Sequence, residues 1–122
     1  MADQEQSSQS DAPFREYANN LIFQASVWDL TLIFGQLGIT KPDATQPPVD
    51  WGTAVTIPWA QAKLGLYQLF LQVAIHEAEN GPIKIHPNVL PPRPDFSKYE
   101  VPTAVKELQP QIDDMYNRLF GQ

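Results

Sequence analysis

Three places in this 122-residue sequence bring together side chains that could do chemistry. The first is His76-Glu77 in "HEAEN", which matches the first half of the His-Glu-x-x-His helix that binds zinc through two histidines one turn apart. The position of the second histidine is taken by Asn80, and His86 falls ten residues further on in a proline-rich stretch. Only a fold-back joining His76, Glu79 and His86 would complete a ligand set. Solvated histidines are therefore expected, with no metal and no other cofactor. The second place is Ser26 with Asp29, a nucleophile fragment only if a histidine comes near; a turn cap is the plainer reading. The third is Lys63, one turn into a predicted helix, where a snorkelling or solvated ammonium is the ordinary state. Asp29, Lys63, His76 and Glu77 together define one enzymatic reading, a small site assembled between subunits.

Two further features concern binding. "PPRP", Pro91 to Pro94, has the PxxP spacing of a polyproline ligand with an arginine inside it. A semi-rigid arm packing on its own or a neighbouring subunit is the stronger expectation. Trp28, Trp51 and Trp59 could line a groove, with core and loop-anchor roles as the default.

The elements that must position these residues follow from periodicity and punctuation. Alternation puts Tyr17, Asn19, Leu21, Phe23 and Ala25 on one face, then Trp28, Leu30, Leu32 and Phe34 on one face with Asp29 and Thr31 opposite. This predicts two strands, 17–25 and 29–36, joined by a turn at Ser26–Asp29. A rival reads Ser26-x-x-Asp29 as a capping box opening a short helix that Gly35 ends. Val55 and Ile57 alternate against Ala54 and Thr56, which predicts a third strand over 53–57. At Pro58 the period changes from two to 3.6, and proline suits a first helical position because its missing N–H would have had no partner. A helix is expected over 58–80, closed by Asn80-Gly81-Pro82. Its polar residues Gln61, Gln68, Gln72, His76 and Glu79 make one narrow stripe. The rest of its surface is apolar, more than one sheet-facing contact needs.

Residues 39–52 read as a loop on the strength of Pro42, Asp43, Pro47-Pro48 and Asp50. Residues 82–102 hold six of the twelve prolines, which lock φ and remove backbone donors, so an extended arm is expected. Val105, Leu108, Ile112, Met115 and Leu119 form an amphipathic seam. Helix is expected from Thr103 and again from Pro110 to Phe120, with a kink or break at Gln109.

Composition bounds the rest. The chain is 43% hydrophobic and 18% charged with a net charge of −6; its eight basic residues are scattered singly, which disfavours nucleic acid and anionic lipid. It has no cysteine, consistent with a reducing compartment. Its longest apolar run, "LGLYQLFLQVAI", is shorter than the ~20 residues of a membrane span. No secretory signal is visible at the N-terminus. A cytoplasmic location is expected.

"YANNLIFQASVWDLTLIFGQL", "TIPWAQAKL" and "HEAENGPI" together resemble a family of short bacterial and archaeal proteins known only as a domain of unknown function. Tyr17, Asn19, Ser26, Asp29, Phe34, Gly35, Pro58, Ala62, Lys63 and Gly81 match its pattern over residues 14–86. Ile57 stands where a capping serine is usual and His76 where an aromatic is usual. The resemblance implies no activity.

The sequence thus predicts an α+β chain: a three-stranded antiparallel sheet with one long helix packed on it, a proline-rich arm and a C-terminal amphipathic helix. Residues 1–13 are expected to be a disordered tail, 14–86 the core domain, 87–102 the arm and 103–122 the C-terminal helical segment. The function expected is that of a non-catalytic oligomeric binding or scaffold protein. Its partners would be further copies of itself, through Leu66, Leu69, Phe70 and Val73, and a protein client.

Overall fold

A computed structural model describes residues 15–37 and 49–121. The expected tail 1–13 and most of the expected loop lie outside these residues. The fold class is the one expected. Strands β1 (Asn20–Ala25), β2 (Asp29–Leu37) and β3 (Val49–Pro58) form an antiparallel sheet in the order β1-β2-β3. Helix α1 (Trp59–Asn80) follows at once, and the chain ends in α2 (Thr103–Lys106) and α3 (Gln109–Phe120). The described residues fall into two compact units, divided between Val73 and Ala74.

In the first unit the register confirms the two-residue alternation. Phe23 pairs with Leu32 and Leu32 with Val55, while Leu30 stands between Ala25 and Ile57. These residues share one apolar face. On the other face Thr31 lies between Gln24 and Thr56, and the Thr31 and Thr56 hydroxyls meet at 2.8 Å. The β1–β2 turn is built by Ser26, whose Oγ accepts from the N–H groups of Trp28 (3.1 Å) and Asp29 (3.0 Å) and donates to Asp29 Oδ1 (2.9 Å). No non-glycine residue among those described has positive φ, so the turn closes without the left-handed residues that tight hairpins favour. The Ser-x-x-Asp motif is thus a turn cap between strands, and the rival helix is excluded.

The loop expectation for 39–52 needs correction at its end, because β3 begins at Val49. Asp50 and Gly52 are turn-type residues, and they misled the reading. The register explains them: Phe34 pairs with Thr53 but Gly35 with Trp51, leaving Gly52 as the extra residue of a bulge. The bulge reverses the parity of β3 and turns Trp51 onto the face of Gly35. A Cβ on Gly35 would lie 2.5 Å from Trp51 Cε3 and 2.8 Å from Val49 Cγ1, a distance side chains do not tolerate. Gly35 is the one buried residue among those described.

In the second unit, the end of α1 is closed by Gly81 at φ 89°, whose N–H donates to Glu77 O at 2.8 Å. This is the left-handed cap expected. The arm carries two short 3-10 turns, Pro87–Val89 and Phe96–Lys98, capped by His86 and Asp95. The C-terminal break falls at Glu107–Leu108, and Gln109 begins α3. The expected break at Gln109 is thus one residue late: a proline costs nothing in the first helical turn, so the helix starts before Pro110.

Candidate functional site

Among the described residues of the first unit, an apolar groove lies between the sheet and the first three turns of α1. It has a volume of about 620 Å³. Leu21, Phe23, Leu30, Leu32 and Ile57 line it from the sheet, and Trp59, Ala62, Leu66 and Leu69 from the helix. The two walls are set by one hydrogen bond and one proline. Trp59 Nε1–H donates to the carbonyl of Ser26 at 2.9 Å, tying the helix start to the hairpin turn. Pro58, paired with Asp29 at the end of β3, ends the strand as the helix begins.

The groove is open. No hydrophobic side chain among the described residues is buried. Over the middle of α1, Leu64, Leu66, Tyr67, Leu69 and Phe70 are all 59–63% exposed. A helix that is apolar on most sides belongs inside a larger core, and within the described residues no such core forms around it. At the hairpin tip Val27 and Trp28 are more exposed still, at 85% and 82%.

The chemically interesting residues are not gathered here. Lys63 lines the groove, alone of the four candidate enzymatic residues. Asp29 is engaged by Ser26 at the turn. In the second unit the Glu77 carboxylate accepts from Ile83 N–H at 2.8 Å, stabilising the chain as it leaves the helix. His76 lies within 3.4 Å of the Asn80 side chain through Nδ1, and His86 Nδ1 accepts from Asn88 N–H at 3.1 Å. Among the described residues no three His, Cys, Asp or Glu side chains come close enough to share a metal.

The PPRP segment is also engaged. Arg93 stacks over the ring of Tyr116, 4.5 Å from its centroid, donates to Asn117 Oδ1 at 2.6 Å and lies 3.5 Å from Asp113. Tyr116 donates its hydroxyl to Pro91 O at 2.7 Å. Gln109 bridges Pro94 O and Phe96 N–H at 2.8 and 2.9 Å. The arm therefore packs on α3 of its own chain, the stronger of the two expectations for it. Asp95 in the same arm accepts from the Ser97 hydroxyl and backbone N–H, and these two bonds hold its pKa below the ordinary aspartate value.

The sequence reading placed Leu66 and Leu69 on a binding surface, and the structure sets both in the groove. Phe70 and Val73 follow on the same helix, Phe70 exposed and Val73 half-buried. The sheet wall went unassigned, although its signal was present in the alternation of Leu21, Phe23, Leu30 and Leu32. No helix among the described residues is long and apolar enough to cross a membrane. Comparison with protein-family models, curated proteins and solved structures found no match to this chain.

Proposed function

We propose that this chain is a non-catalytic, oligomeric binding or scaffold protein of the cytoplasm, partnered by further copies of itself and by a protein client. One observation carries the proposal: an apolar groove and a helix apolar on most sides lie side by side, and no hydrophobic side chain among the described residues is buried. Large contiguous apolar surface on a folded chain marks association. The net charge of −6 argues against nucleic acid as the partner. The resemblance to the domain-of-unknown-function family belongs to the same proposal.

The enzymatic alternative draws less support. Asp29 and Glu77 are occupied in local caps, and among the described residues lining the groove Lys63 has no second titratable side chain beside it. The test is sedimentation of the wild type across micromolar concentrations, followed by titration with a fluorescent, permanently unfolded apolar polypeptide. An assembly that binds the polypeptide supports the proposal; a monomer that binds nothing overturns it.

A further inference from the structure

We infer that Asn80-Gly81, at the end of α1, is a site of spontaneous deamidation that the helix cap keeps closed, so that opening the cap converts Asn80 irreversibly to aspartate or isoaspartate.

Asn80 is the only one of the five asparagines that is followed by glycine. Asparagine is a labile residue, and most so there, because the next backbone nitrogen can attack the side-chain amide and glycine sets no side chain in its way. The step balances with water as the co-reactant. Gly81 N gives up its proton and attacks Asn80 Cγ; the new N–Cγ bond closes a succinimide ring, the Cγ–Nδ2 bond breaks, and the amide leaves as ammonia with a proton. Water then opens the ring at one carbonyl or the other. The products are aspartate in the ordinary backbone, or isoaspartate with the main chain rerouted through the side chain. Asn80 is exposed, and a Cβ placed on Gly81 would meet nothing within 4 Å, so water reaches the reacting groups.

In the folded chain both of those groups are engaged elsewhere. The Gly81 N–H, whose nitrogen is the nucleophile, donates to Glu77 O at 2.8 Å. Asn80 Nδ2, the leaving nitrogen, donates to His76 O at 3.0 Å, with His76 Nδ1 3.4 Å from it. The bond from Ile83 N–H to the Glu77 carboxylate at 2.8 Å fastens the chain just beyond. Attack requires Gly81 N to leave its helical partner and the Asn80 amide to swing away from the preceding turn, so the reaction runs only from the frayed end. Two ordinary hydrogen bonds favour the closed form by roughly five- to a hundred-and-fiftyfold, and slow the reaction by the same factor.

The product cannot close the cap again. Asn80 Nδ2 is a donor to His76 O; a carboxylate oxygen in its place is an acceptor, and two acceptors repel. The new charge also lies at the negative end of the helix macrodipole, beside Glu77 and Glu79, in a last turn with no basic residue. It adds one negative charge to a chain already at −6. Isoaspartate further lengthens the backbone where Gly81, at φ 89°, ends the helix. Modified chains therefore keep the end of α1 open, and residues 81–83 lose their fastening to Glu77.

The test holds the whole chain at mildly alkaline pH, once native and once in urea that abolishes its helical circular dichroism. Peptide-mapping mass spectrometry follows the amide-to-acid mass gain at each asparagine. The expected result is conversion at Asn80 ahead of Asn19, Asn20, Asn88 and Asn117, slower in the native than in the unfolded chain by roughly five- to a hundred-and-fiftyfold. Glu77→Ala, which lacks the acceptor for Ile83 N–H, should convert faster than the native wild type; should it fail to fold, the native and urea rates of the wild type decide alone. Amide exchange at Gly81 and Ile83 should quicken in Asn80→Asp. A native rate equal to or above the unfolded one, or a folded Glu77→Ala no faster than wild type, overturns gating by the cap. No conversion at Asn80 in urea overturns the site itself, and unchanged exchange in Asn80→Asp overturns its lasting effect on the helix end.

Discussion

Phe70→Asp is the substitution whose effect follows most directly from the exposed helix. Phe70 is 59% exposed in a single copy, so most of its ring is already in water there. Complete burial of such a side chain is worth roughly 1.5–3 kcal/mol; about three-fifths of that, ~1–2 kcal/mol, is available only on association. Two-fold symmetry counts it twice, giving ~2–4 kcal/mol, and a carboxylate in a dry contact adds a desolvation cost of several kcal/mol. At ~1.4 kcal/mol per tenfold change in affinity, association weakens by roughly thirty- to seven-hundredfold from lost burial alone. Phe70→Ala separates the two contributions, since it removes burial without adding charge. Sedimentation velocity at matched concentrations reads both variants beside the wild type, and circular dichroism follows their melting. The expected order of assembled mass is wild type, then Phe70→Ala, then Phe70→Asp, with loss of cooperative melting counting as loss of the assembly that supports the fold. A Phe70→Asp protein that sediments and melts like the wild type would refute the reasoning.

Other consequences can be checked independently. Gly35→Ala pushes a Cβ into Trp51 and Val49 and should destabilise by about 1–3 kcal/mol in chemical denaturation. The lower end of that range is expected because Trp51 is 42% exposed and its ring can swing outward. Arg93→Ala removes an exposed cation–π contact worth ~0.5–1 kcal/mol and a surface ion pair worth ~0–1 kcal/mol. Faster amide exchange should follow in the 91–98 arm, with strands β1–β3 unchanged. Because the pKa of Asp95 is lowered in the folded chain, its cap is complete at neutral pH and is lost as pH falls through that lowered value. Carbonyl NMR of Asp95 should show a midpoint below that of the same residue in Ser97→Ala; equal midpoints would contradict this.

The sheet and the long helix were legible because their signals are local. Leu21, Phe23, Leu30 and Leu32 alternate without interruption, and Pro58 marks the change of period within one residue of the helix start. The beginning of β3 was not legible, because Asp50 and Gly52 resemble turn residues until the pairing of Gly35 with Trp51 shows a bulge. That pairing joins positions sixteen apart in the chain, beyond any window of local propensity. That Leu66 and Leu69 lie on an uncovered apolar surface could be read from the excess apolar surface of the helix. The apolar face of the sheet was legible in the alternation, but not that it forms the other wall of the same groove, since that depends on how Trp59 fastens the helix to the Ser26 turn. The clasp of Arg93 on Tyr116 and Asn117 likewise needs the arm to return to α3, a fold-back that no sequence spacing announces.

The central claim is that this chain completes its apolar core with another copy of itself. Sedimentation equilibrium of the untagged wild type at micromolar concentration tests it most directly. The account predicts a mass at a whole multiple of 13.7 kDa, two or greater, falling on dilution together with the melting temperature. A single species of 13.7 kDa with a cooperative melt independent of concentration would contradict it.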